Sequence, residues 1–330
     1  MTIALKRVAC AAALAWAASA SAQLPPAAPA DVARLQAEAD KLPDTPGDGP
    51  YRATMEVDAR LPGYVVYRPA DLAPFARAGG KLGLLVWGNG ACAADGSSAR
   101  QHLAEIASYG YLVIAPGKWQ SGPNARDPRG APAPPPARAA TAGPPAKSPT
   151  SASDLARALD WALSARGAYG KLIDRNAVAL GGYSCGGLQA LRLAANPRIH
   201  ALLIENSGIF VGGSSGLAEM DMPKDQLQAI HTPVLYLLGG ETDIAYANGS
   251  DDFARIGQVP AIMVNIPTGH GGTYNQPMGG KAAGIVVDWL QWQLRGDNSA
   301  ARTFTGANCR LCTDSGAKIT AKHLTGPPAR

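Results

Sequence analysis

The chain has 330 residues, enough for one large α/β domain or two small ones. Hydrophobic residues make up 46% and charged residues 17%, which provides material for a real core and excludes wholesale disorder, a state that needs few apolar residues and many charges. The formal charge is +5, two units of it from Lys6 and Arg7 at the N-terminus, and the other Lys and Arg are scattered; without basic runs this excludes a nucleic-acid binder.

The first residues have the pattern of a signal peptide over 1–22. Lys6 and Arg7 form the positive region, Val8 to Ala18 a short apolar run, and Ala20-Ser21-Ala22 a small-residue cleavage site before Gln23. The apolar run falls short of the ~20 residues a membrane span needs. The sequence therefore predicts a secreted or periplasmic protein with no membrane span, in a compartment where disulfides persist. Residues 23–59 read as a leader rich in Ala, Pro and Asp, with one short helix over Asp31 to Leu42.

From residue 60 to 296 short apolar runs alternate with stretches of helical length. The strands predicted are Tyr64–Tyr67, Leu82–Trp87, Tyr111–Ala115, Ala177–Leu180, Ala201–Ile204, Val234–Leu238 and Ile262–Ile266. Most are continuously apolar, as strands covered on both faces must be. Helices are predicted near Arg100–Ser108, Asp154–Arg166, Gly187–Ala195 and Ala282–Arg295, with Ser151 and Asp154 as an N-terminal cap. Alternation of this kind gives a mostly parallel sheet flanked by helices. Residues 123–150 break the rhythm with Pro and Ala and predict an exposed loop. Residues 297–330 form a C-terminal tail carrying a cysteine pair.

The chemistry-bearing motif is Gly182-Tyr183-Ser184-Cys185-Gly186, a G-x-S-x-G directly after a predicted strand and before a predicted helix. A sharp strand-to-helix turn projects the serine hydroxyl alone above the sheet. The helix N-terminus then supplies N–H donors for a developing oxyanion. After the next-to-last strand comes Gly239-Gly240-Glu241-Thr242-Asp243, and after the last Pro267-Thr268-Gly269-His270-Gly271-Gly272. The order Ser184, Asp243, His270 at successive strand ends predicts a catalytic triad, with Glu241 and then Asp251 and Asp252 as rival acids. The other histidines fit less well. His102 falls on a helix, His200 opens a strand, His231 precedes one, and His323 lies in the tail. A second oxyanion donor is expected from Trp87-Gly88-Asn89-Gly90, where the Asn89 N–H pairs with that of Cys185. Trp87 and Tyr183 flank the site in sequence and are read as a substrate wall or, equally, as core.

With these residues in hand the chain resembles the α/β-hydrolase superfamily, most closely its secreted dienelactone-hydrolase-like and cutinase or polyester-hydrolase-like branch. The likeness rests on WGNG at 87–90, GYSCGG at 182–187, LYLLGGETD at 235–243 and PTGHGG at 267–272, within residues 60–296. It implies an α/β-hydrolase fold with a mostly parallel eight-stranded sheet, esterase or lipase-like activity, and no cofactor. Two departures bear on substrate: Cys185 stands where polyester hydrolases usually carry Met, and the loop at 123–150 is unusual.

Beyond Cys10, which falls in the predicted signal peptide, four cysteines remain: Cys92, Cys185, Cys309 and Cys312. Four allow three pairings. Both oxyanion segments must meet, which favours Cys92 with Cys185 and leaves Cys309 with Cys312. A zinc half-site lacks a second pair of ligands, and a thioredoxin-like motif lacks its strand and helix, so no metal is expected. Cys185 as nucleophile is disfavoured because the turn aims Ser184 at His270. The sequence thus predicts a secreted serine hydrolase of carboxylic esters, acting on a small-molecule or polymeric substrate. The alternatives are a serine peptidase or amidase on the same fold, or a catalytically silent binding protein.

Overall fold

The computed structural model describes residues 36–77, 81–127, 147–164, 169–211 and 219–324. The predicted signal peptide and residues 128–146 of the Pro/Ala-rich loop lie outside the described residues. Of the helix expected over Asp31 to Leu42, residues 36–41 are helical.

Among the described residues nine strands form one sheet: β1 (Ala53–Glu56), β2 (Tyr64–Pro69), β3 (Leu82–Gly88), β4 (Tyr111–Pro116), β5 (Ile173–Tyr183), β6 (Ala201–Glu205), β7 (Val234–Leu238), β8 (Ala261–Asn265) and β9 (Lys318–Lys322). Their spatial order is β1-β2-β4-β3-β5-β6-β7-β8-β9. The six strands from β4 to β8 in that order run parallel, while β1, β2 and β9 pair antiparallel at the two edges. This is nine strands and not the eight the resemblance implies. The sheet also extends past residues 60–296, taking β1 from the leader and β9 from the tail.

Period-two alternation sorts each central strand between two cores. Leu85 and Trp87 of β3 face one apolar cluster, and Leu82, Leu84 and Val86 face the other. The first face is covered by α2 (Arg100–Ser108) and α6 (Gly280–Arg295), with α7 (Asn298–Ala301) following α6. The opposite face is covered by α1 (Ala73–Arg77), α3 (Ala152–Leu163), α4 (Cys185–Arg192) and α5 (Tyr246–Arg255). The predicted cap is formed: the Ser151 N–H donates to Asp154 Oδ2 at 2.9 Å. Because the central strands are parallel, the loops after β5, β6, β7 and β8 all leave from one end of the sheet, and there the singled-out residues gather.

Candidate active site

Ser184 lies between the last residue of β5 and the first of α4, with φ 53° and ψ −118°. A non-glycine residue in that region is strained and persists only where its surroundings dictate it. The surroundings here are tight. A Cβ on Gly182 would collide with the Gly186 backbone, and one on Gly186 with the Gly88 backbone. Only glycines let β3, β5 and α4 converge this closely.

His270 Nε2 lies 3.0 Å from Ser184 Oγ, and His270 Nδ1 lies 2.6 Å from Asp243 Oδ1. Asp243 is buried, and its carboxylate accepts from the Gly239 N–H and the Ala245 N–H, each at 2.9 Å, and from Asn206 Nδ2 at 2.8 Å. Burial alone would raise its pKa. The hydrogen bond from His270 and those from the Ala245 and Gly239 backbone outweigh it and hold the carboxyl below its ordinary range. A carboxylate can only accept, so the proton between the two sits on Nδ1, and the neutral tautomer this selects has its Nε2 lone pair toward the serine hydroxyl.

The rival acids go elsewhere. Glu241 is exposed, and Asp251 and Asp252 bind Lys224 at 2.8 and 2.6 Å. His102 is fully buried, its Nε2 3.4 Å from Glu205 Oε1, while His231 and His323 are exposed and His200 is half-buried at the start of β6.

Cys185 is the first residue of α4, where an N–H has no intrahelical acceptor. The Asn89 side chain is committed to the Ala93 and Pro116 carbonyls at 2.9 and 2.6 Å. Its backbone nitrogen faces the first turn of α4, where a Cβ on Gly186 would come within 2.7 Å of it. Disulfides join Cys92 to Cys185, with Cα atoms 5.2 Å apart, and Cys309 to Cys312, with Cα atoms 4.9 Å apart. The first ties the loop after β3 to the N-terminus of α4.

The two aromatic residues divide. Tyr183 is partly exposed, and its hydroxyl donates to the His270 carbonyl at 2.8 Å, steadying that loop. Trp87 is 0% exposed and packs under the site against His102 and Tyr274, so its reading as a substrate wall gives way to core. A strand end inside a parallel sheet points its side chains at covering helices, and α2 and α6 cover this one.

Sequence reading missed Asn206 and Tyr274. Asn206 follows the last residue of β6, and the Tyr274 hydroxyl donates to its Oδ1. The polar pair Glu205 and Asn206, closing the apolar run Ala201–Ile204, marks a strand end but names no partner.

No protein-family model matches the sequence, and no curated protein matches it. The fold and this geometry therefore carry the functional reading by themselves.

Proposed function

We propose that the protein is an exported serine hydrolase of the α/β-hydrolase kind that cleaves carboxylic esters. The single observation that carries the reading is the unbroken hydrogen-bonded chain from Asp243 through His270 to Ser184, ending on a strained serine at a helix N-terminus. Support for the fold comes from the order of the parallel strands, with serine, acid and histidine following β5, β7 and β8. Support for export comes from two disulfides, which persist in oxidising compartments. No helix of the described residues is long and apolar enough to cross a membrane.

In this mechanism Ser184 Oγ attacks the ester carbonyl carbon as His270 Nε2 takes its proton. Asp243 stabilises the imidazolium. The oxyanion accepts from the backbone N–H groups of Asn89 and Cys185. Collapse expels the alcohol, which leaves with the proton from Nε2. Water, deprotonated by His270, then opens the acyl-enzyme, releases the acid and restores Ser184.

The test is a fluorophosphonate probe followed by matched ester and amide substrates. The reading expects the adduct on Ser184, its loss in Ser184→Ala, and faster turnover of the ester. Faster amide turnover would make the protein a peptidase or amidase. No labelling would make it a silent binder.

A further inference from the structure

Asn206 sits between the acid, the histidine loop and a buried phenol. It has φ 43°, a left-handed conformation that Asn tolerates better than most residues. That turn directs its side chain at three partners. Nδ2 donates to Asp243 Oδ2 at 2.8 Å and to the Gly269 carbonyl at 3.1 Å, and Oδ1 accepts from the Tyr274 hydroxyl. Both residues are nearly inaccessible, at 2% and 4%. The partners fix which way the amide faces. A carboxylate and a carbonyl can only accept, so both amide hydrogens are committed and Oδ1 is left needing a donor. Tyr274 is a suitable one. Burial first, and then the charge of Glu205, hold its pKa well above the ordinary value, so the phenol keeps its proton. Its ring is wedged between those of Tyr183 and His102, at centroid distances of 4.7 and 5.2 Å.

We propose that Asn206 and Tyr274 are a pair of positioning residues that lock the Asp243 carboxylate to the loop carrying His270. This rests on the ester-hydrolase reading for its kinetic consequence, but the geometric claim stands apart from it. One amide grips both the acid and the residue before the histidine, so it fixes the distance between them. Tyr274 prevents that amide from turning over. A flipped amide would present Oδ1 to the carboxylate and leave two acceptors facing each other.

The test is Tyr274→Phe, Asn206→Ala and the double variant. The readouts are kcat and KM on p-nitrophenyl acetate, and the far-downfield proton resonance of the His270 Nδ1–H bonded to Asp243. Tyr274→Phe keeps the buried ring, so a packing role alone predicts no change in either readout. The positioning role expects kcat to fall about tenfold, and further in Asn206→Ala, with KM within about twofold, because alignment acts on the chemical step. The double variant should be no slower than Asn206→Ala, because Tyr274 acts through Asn206. The downfield resonance should shift or broaden in each variant. If Asn206→Ala does not fold, Tyr274→Phe decides the question. Unchanged kcat and an unmoved resonance in Tyr274→Phe would overturn the proposal. A wild-type protein that neither hydrolyses ester nor takes the fluorophosphonate would overturn the ester-hydrolase reading, and the resonance would still decide the positioning claim.

Discussion

Ser184 occupies a backbone conformation that a side chain rarely adopts, and its side chain makes no capping hydrogen bond to α4. Replacing it by Ala removes the proposed nucleophile and leaves β5, α4 and the two convergent glycines in place. The expected result is a loss of at least about a thousandfold in kcat with an unchanged melting temperature. Turnover above a tenth of wild type would show that the serine is not the nucleophile. The acid is tested in the same way. Asp243→Asn keeps the shape but exchanges an acceptor for a donor facing His270 Nδ1, which imposes the wrong tautomer. It should cost orders of magnitude in kcat. Glu241→Gln, at an exposed position, should cost almost nothing, and the reverse ranking would move the acid to Glu241.

At the scale of elements, the loop after β3 and the start of α4 are held by the Cys92–Cys185 bridge, with both cysteines buried. The bridge is supported in turn: Gln189 Nε2 donates to Cys92 Sγ at 3.1 Å and to the Thr150 carbonyl at 2.9 Å. In the proposed mechanism these two segments donate to the oxyanion, whose stabilisation depends on donors already in place. Cys92→Ser should therefore lower kcat about tenfold or more with KM little changed, and lower the melting temperature, since losing a native bridge costs roughly 2–5 kcal/mol. Cys309→Ser should leave kcat unaltered. Equal kinetics for the two variants would remove the bridge from the catalytic argument. A second prediction concerns the loop after β6 and the approach to α5. They carry Val211 and Ile244, 57% and 64% exposed, and the Val211 N–H donates to Asn248 Oδ1 of α5 at 3.1 Å. Ile244 directly follows Asp243. An apolar rim there favours esters with an apolar chain, so Ile244→Ser should raise KM for a long-chain ester several-fold and leave the acetate ester alone. Which elements were legible follows from the same physics. The seven predicted strands are apolar runs covered on both faces, and each is present. Edge strands β1 and β9 and helix α5 were not legible. Residues 318–322 are mostly exposed, and the only large apolar side chain α5 buries is Phe253, so neither carries an apolar run long enough to mark it. Ser184, Asp243 and His270 were legible because each marks a strand end. Asn206 and Tyr274 were not, because their partners lie 37 and 68 residues away and no local pattern links them.

Over the whole molecule, the segment before β1 is clasped onto the sheet domain through α2. Arg100 binds Asp44 at 2.6 Å and the Ala39 and Leu42 carbonyls at 2.7 and 2.8 Å, and Gln101 reaches the Pro43 carbonyl at 2.6 Å. One further contact in this clasp has a strongly displaced titration. Glu105 is buried and accepts from the Asp48 N–H at 3.0 Å, with the Asp48 carboxyl nearby. Burial first, and then Asp48, push its pKa from 4.5 up to about 8. The sign follows from proton counts. Between these two values the folded chain holds a proton on Glu105 that the unfolded chain has released. Stability from this group is thus fully present below about pH 4.5, falls as pH rises, and is gone above about pH 8. Asp252, pushed up to about 6 mainly by burial, adds a decline that ends at lower pH. His200 acts the other way, because burial lowers its pKa and favours folding as pH rises. Glu105→Gln isolates the one group, since Gln keeps an acceptor for the Asp48 N–H but does not ionise. Melting curves of both proteins from pH 5 to 9 should converge at the acid end, with the variant more stable by several degrees at pH 8–9. Parallel curves across that range would show that Glu105 ionises alike in the folded and unfolded chain.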